Sequence, residues 1–230
     1  MEPLVKQAKG TTIEAVRAAL ARHERRPFKR DGLRPAAVLL PLYEREGELF
    51  LLLTLRSQEV AHHKGQISFP GGAFDPQDGD LERTVLRECR EETGLRPEDV
   101  RIVGMLDDCP TISDFTVTPF VGFIPHPYPF TLCAAEVAQL IEAPLAELLR
   151  PEIFREDRLT WRGKTHPVYF YDFGAHTIWG VTAHILKQFL ERVFPRGLDS
   201  YAALYGRGRS KGKGSPLLYR HGEGLDPGDR

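Results

Sequence analysis

Apolar and polar residues follow two rhythms along the 230-residue chain, and each change of rhythm marks an element. "PAAVLLPLYE" from Pro35 and "LFLLLTLRS" from Leu49 are almost unbroken apolar runs, the pattern of strands buried on both faces. The polar "REGE" between them predicts a hairpin. "QISFPGGAF" from Gln66 predicts a short strand and a turn. Further strands are expected at "VRIVGMLDD" from Val100, "TVTPFVGFI" from Thr116 and "EVAQLIEA" from Glu136, and a short helix at "PLAELLR" from Pro144. "RLTWRG" from Arg158 and "PVYFYDF" from Pro167 predict a second hairpin.

Helical spacing appears in three places. Thr11 to Arg22 predicts a helix capped by Thr11 or Thr12. Asp80 to Thr93 predicts a second, capped by Asp78 or Asp80 and closed by Gly94, which takes a positive φ without steric penalty. "IWGVTAHILKQFLERVF" from Ile178 predicts a long amphipathic helix. This order of elements implies a mixed α+β domain. Past Pro195 the chain turns glycine-rich and polar, so residues 1–195 are expected to form one domain and 196–230 a mobile tail.

Composition narrows the function classes. The formal net charge is −1, which argues against bulk electrostatic binding of nucleic acid. The three cysteines, Cys89, Cys109 and Cys133, are too few and too scattered for a disulfide framework or a zinc site. Reduced thiols in a cytoplasmic protein are expected. The first twenty residues carry charges throughout, unlike a secretory signal, and no stretch approaches the ~20 apolar residues of a membrane helix.

The second helix holds the candidate chemistry. At about 100° per residue, Glu88, Glu91 and Glu92 fall within an arc of about 100°. Arg83, Arg87 and Arg90 form a basic face, and Val85, Leu86, Cys89 and Thr93 an apolar one. Like charges one turn apart repel and weaken a helix by a few tenths of a kcal/mol per pair. A divalent cation removes that penalty, and magnesium prefers carboxylate oxygens together with water and phosphate. Glu88 and Glu92 are one turn apart, with Glu91 either joining them on one ion or reaching a second. Arg87 lies four residues before Glu91 and is placed to orient it. Gly71 and Gly72 precede the helix, where bare backbone approaches a phosphate closely. On the apolar arc, Cys89 reads as a small buried side chain rather than a nucleophile. Trp179 and Phe189 read as core, Tyr169 and Tyr171 as packing residues on a strand, and His62 and His63 as polar surface.

The stretch from Gly72 through "RECREETGL", Arg87 to Leu95, resembles a Nudix box: a glycine, a glutamate six residues later, then Arg-Glu-aliphatic-any-Glu-Glu-any-Gly-aliphatic. Cys89 stands at the first aliphatic position. Asp78 stands where the box has its first glutamate, and the loop to Arg87 is one residue longer. The resemblance implies a Nudix-type mixed β-sheet sandwiched between helices and hydrolysis of a nucleoside diphosphate linked to another moiety. It also implies magnesium or manganese held by Glu88, Glu91 and Glu92, with Arg87 as their orienting partner. "LLTLRSQEVAHHKGQISFPGG", Leu52 to Gly72, is similar to the motif of the coenzyme A pyrophosphatases of that family, with His62-His63-Lys64 where the motif has its second arginine.

That subfamily resemblance implies cleavage of coenzyme A into 3′,5′-ADP and 4′-phosphopantetheine. The alternatives are ADP-ribose or another nucleotide conjugate as substrate, or a non-catalytic binding module. Arg56, Lys64, Gly71 and Gly72 are the candidate substrate-binding residues, and Glu91 with Arg87 the catalytic candidates. The general base is open between Glu91 and an acid of a later loop: Asp107, Asp108, Asp114 or Glu136.

Overall fold

The computed structural model describes residues 8, 10–60, 63–161 and 164–195. The expected tail lies outside them, as does His62. Helix α1 (Ile13–Ala21) is capped by Thr12, whose hydroxyl accepts from the Ala15 amide at 3.2 Å. Strands β1 (Arg34–Arg45) and β2 (Glu48–Arg56) form the expected hairpin. Its turn is Glu46-Gly47, both at positive φ, as a tight two-residue hairpin requires. β3 (Ile67–Ser68) and β4 (Gly71–Ala73) follow, then helix α2 (Leu81–Thr93). Strands β5 (Arg101–Met105), β6 (Cys109–Pro110), β7 (Phe115–Phe123) and β8 (Val137–Pro144) lead to the one-turn helix α3 (Leu145–Leu148). β9 (Phe154–Trp161), β10 (Lys164–Phe173) and β11 (His176–Trp179) precede helix α4 (Gly180–Val193).

Eight strands make one mixed sheet, in which β1 pairs antiparallel with β2 and β4 and parallel with β7. The other three form a separate antiparallel sheet. The unbroken apolar run of β1 has a direct cause: both faces of the large sheet are covered. Ala37, Leu39 and Tyr43 pack with Val85 and Cys89 of α2. Ala36, Leu40 and Leu42 point the other way, into a core shared with Val16 and Leu20 of α1 and Ile185, Leu186 and Phe189 of α4. This is the expected α+β sandwich.

One boundary differs from the sequence reading. Ile178 and Trp179 belong to β11, where they pair with Tyr171 and Phe170, and α4 starts only at Gly180. The apolar spacing continues through the junction, but cross-strand hydrogen bonding claims its first residues. No helix among the described residues is long and apolar enough to cross a membrane.

Candidate active site

Helix α2 is fixed at both ends before its side chains do anything. Asp80 caps the start by accepting from the Arg83 amide at 2.8 Å, and Gly94 ends the helix in the left-handed region at φ 73°. Val85 and Cys89, both fully buried, lock one face onto the sheet. Burial pushes the Cys89 thiol well above its ordinary range, which removes it as a nucleophile. With this face pinned, the helix presents its glutamates to β4.

The glycine turn meets them at contact distance. The Gly71 amide donates to Glu92 Oε2 at 3.2 Å. A Cβ on Gly71, whose φ is 147°, would fall 2.2 Å from the Ala37 carbonyl oxygen. A Cβ on Gly72 would fall 2.4 Å from Glu88 Cδ. The Gly71 position therefore requires glycine, because a Cβ there would meet backbone of the paired strand, whereas a side chain at Gly72 would displace the Glu88 carboxylate from its place against the turn.

The three glutamates have different surroundings. Glu92 is 3% exposed, and among the described residues it forms no ion pair. Burial pushes its carboxyl up to about 8, against the downward pull of the Gly71 amide and the Arg56 charge. Glu88 is also raised by burial, although Arg87 Nη2 lies 2.8 Å from its Oε1. Glu91 is about half exposed and accepts from Arg87 Nη1 at 2.8 Å. Arg87 thus touches two of the three glutamates and leaves the most buried one uncompensated.

Asp78 holds Arg87 in place. It accepts from Arg87 Nε at 2.9 Å and Nη2 at 3.2 Å, and from the Thr84 hydroxyl at 2.8 Å. These donors, the guanidinium first, lower its carboxyl to about 2. The longer loop forms a single 3-10 turn, Pro76–Asp78, capped by Asp75, and this turn aims Asp78 at the guanidinium. Asp78 is a positioning residue: its lone pairs are spent on Arg87 and Thr84, so it is not available as a base.

The NUDIX domain profile matches residues 32–160, more than half of the chain. The chain belongs to the Nudix family. The Photorhabdus laumondii protein named "Uncharacterized Nudix hydrolase NudL" is 39% identical over 163 residues, covering 71% of this chain and 87% of its own. A protein of the same name from Enterobacter sp. is 40% identical over 155 residues, covering 67% and 80%. Among solved structures, a MutT/nudix family protein from Enterococcus faecalis aligns with a TM-score of 0.47 at 15% identity, over 86% of this chain and 83% of that one.

Around this Nudix helix the structure sorts the remaining candidates. Arg56, at the end of β2, is half-buried, and its charge acts on Glu92. Its Nε is buried without a hydrogen-bond partner among the described residues. Lys64 is exposed in the loop between β2 and β3. Among the later acids, the structure brings Glu136 to the helix. The loop before β8 docks on the end of α2, where the Thr131 amide donates to Thr93 O and the Cys133 amide to Glu92 O, each at 2.9 Å. Glu136 follows directly, its carbonyl accepting from the Ser57 amide at 2.8 Å, and its charge raises both Glu88 and Glu92.

Asp107 and Asp108 are used elsewhere. Asp108 is gripped by Arg25, and Asp107 lies 3.0 Å from His23 Nε2. Asp114 sits in a turn at φ 60°. The sequence reading did not foresee the docking of the 131–136 loop. The close fit of Gly94, where an added Cβ would fall 3.0 Å from the Thr131 amide, records it.

A cation fits the chemistry of this donor set. Two carboxylates are raised by burial, one lacks an ion pair, and a third carboxylate stands on the exposed rim. Among the described residues no three such groups are already gathered as a finished cage, since Arg87 draws Glu91 to itself.

Proposed function

We propose that this Nudix hydrolase of phosphoric anhydrides is a magnesium- or manganese-dependent coenzyme A pyrophosphatase, releasing 3′,5′-ADP and 4′-phosphopantetheine. The observation that carries the metal and diphosphate reading is Glu92: a buried carboxyl group with no ion pair among the described residues, hydrogen-bonded to the glycine turn and acted on by the charge of Glu88. Glu88, Glu91 and Glu92 would hold the ion. When bound, it neutralises diphosphate oxygens and lowers the pKa of its water. The coenzyme A assignment is supported by the resemblance of Leu52 to Gly72 to the subfamily motif, together with the place of Arg56 beside Glu92.

The chain's own residues divide the work. Gly71 and Gly72 keep the floor of the site free of side chains, so that a diphosphate approaches the carboxylates. The half-buried Arg56 guanidinium, whose Nε has no hydrogen-bond partner among the described residues, is the candidate for a phosphate oxygen, and the exposed Lys64 adds a second charge from the loop between β2 and β3. Arg87, itself held by Asp78, orients Glu88 and Glu91. Water attacks phosphorus and the P–O bond to the bridging oxygen breaks. The water proton passes to a carboxylate, with Glu136 placed for that transfer because it faces Glu88 and Glu92 without being tied to Arg87. Glu91 is the second candidate.

The test is a side-by-side assay of coenzyme A, acyl-coenzyme A, ADP-ribose and NADH with magnesium. Coenzyme A or its acyl forms should be preferred in kcat/KM. A preference for ADP-ribose overturns the coenzyme A assignment and leaves the diphosphate hydrolase reading standing.

A further inference from the structure

Two arginines of the basic face of α2, Arg83 and Arg90, have no part in the reaction described above. Arg83 and Arg90 are seven residues apart, two turns on the same side and about 10 Å along the axis. They line a cavity of about 660 Å³, open to solvent, with Gln77, Leu86 and Pro97, and this cavity also reaches Asp78, Arg87 and Glu91. Arg87 is fully engaged by Asp78, Glu88 and Glu91. The other two arginines are not. Arg83 has one carboxylate nearby, Asp80 at a long 3.7 Å, and Arg90 forms no ion pair among the described residues. Half-buried Leu86 lies between them, and Pro97 adds apolar surface.

Two guanidinium groups with spare donors suit a doubly charged phosphate monoester, which takes paired N–H bonds that a diphosphate bridge cannot fully use. The apolar patch between them suits the flat or carbon-rich body that carries such a phosphate. The cavity is continuous with Glu91, so a ligand whose diphosphate lies on the acidic face has a neighbouring group within reach of the basic one. We propose that Arg83 and Arg90 bind a second phosphate, a monoester on the nucleoside end of the substrate, and so select substrates that carry it. The proposal rests on the diphosphate hydrolase reading above and sharpens its substrate class.

Two measurements test it. The first compares coenzyme A with dephospho-coenzyme A, which lacks the monoester, in the wild type, the double variant Arg83→Gln/Arg90→Gln, and Lys64→Gln. The wild type should favour coenzyme A, and the double variant should lose about tenfold or more of that ratio in kcat/KM, mainly through KM. An unchanged ratio in the double variant, or loss of the ratio in Lys64→Gln alone, overturns the proposal. The second is calorimetric binding of adenosine 3′,5′-bisphosphate against AMP, which needs no turnover. The bisphosphate should bind about tenfold tighter to the wild type and equally to the double variant; equal binding to the wild type overturns the proposal. Failure to hydrolyse either coenzyme would defeat the functional reading instead, while the calorimetry still decides the site. Both arginines are solvent-exposed, so the double variant should fold, which its melting curve checks.

Discussion

The molecule contains two arginine–carboxylate networks built from the same chemistry and resolved in opposite ways. In one, Arg25 grips Asp108 with Nε at 3.1 Å and Nη2 at 2.8 Å, while the Phe28 amide and the Thr118 hydroxyl donate to the same carboxylate. The Asp108 side chain is 4% exposed, and its lone pairs are met. In the other, Arg87 is shared among Asp78, Glu88 and Glu91, and its reach ends one turn short of Glu92. A buried carboxylate that is fully paired ties segments together; one left without a paired cation is driven towards its protonated form, and a ligand that stabilises the ionised form removes that penalty. The first network staples the segment before β1 to the connection between β5 and β6 and to β7. The second leaves the buried Glu92 without an ion pair among the described residues. The difference shows that hydrogen-bond satisfaction, more than the number of charges, separates a structural cluster from a binding one.

Substitution is the strongest way to break this contrast. Glu92→Gln removes the proposed cation ligand and should cut turnover by about 10²–10³-fold, since each tenfold corresponds to about 1.4 kcal/mol of lost transition-state stabilisation. The metal-free variant should melt no lower than the wild type, because no satisfied pair is lost. Wild-type turnover in this variant would defeat the ligand assignment.

The mirror experiment is Asp108→Ala. It strands Arg25 and Thr118 and should lower stability by about 2–3 kcal/mol, less than a fully buried pair because Arg25 is 30% exposed. Turnover below the new melting temperature should persist. A variant that is stable but inactive would place Asp108 in the reaction and erase the distinction between the networks.

The smallest effect is a pH dependence that should separate the apo and metal-bound proteins. Glu92 is raised in the folded state, to about 8 from an ordinary 4.5. Its contribution is therefore stabilising below about 4.5, where both states are protonated, and is lost as pH rises towards about 8. Metal-free protein should lose melting temperature across that window, and both magnesium and Glu92→Gln should flatten the loss. An equally steep profile with magnesium present would show that the ion does not meet this carboxylate.

Much of the fold was legible because burial on two faces leaves an unmistakable pattern. The unbroken runs of β1 and β2, the cap at Asp80 and the stop at Gly94 are local, each requiring only neighbours in the chain. The three faces of α2 were legible for the same reason, since helical geometry alone sorts Glu88, Glu91 and Glu92 from Arg83, Arg87 and Arg90. The start of α4 was misread because the pairing of Ile178 with Tyr171 is a contact between strands, invisible to spacing.

The sequence by itself thus determined the element types, the acidic helix and the glycine turn, all products of short-range geometry. Only the tertiary structure decided which glutamate has no ion pair among the described residues, that Asp78 holds Arg87, and that the charge of Glu136, rather than that of Asp107 or Asp108, acts on Glu88 and Glu92. Those outcomes depend on which distant backbone amides and charges arrive beside a carboxylate, and desolvation and pairing act through space, not along the chain.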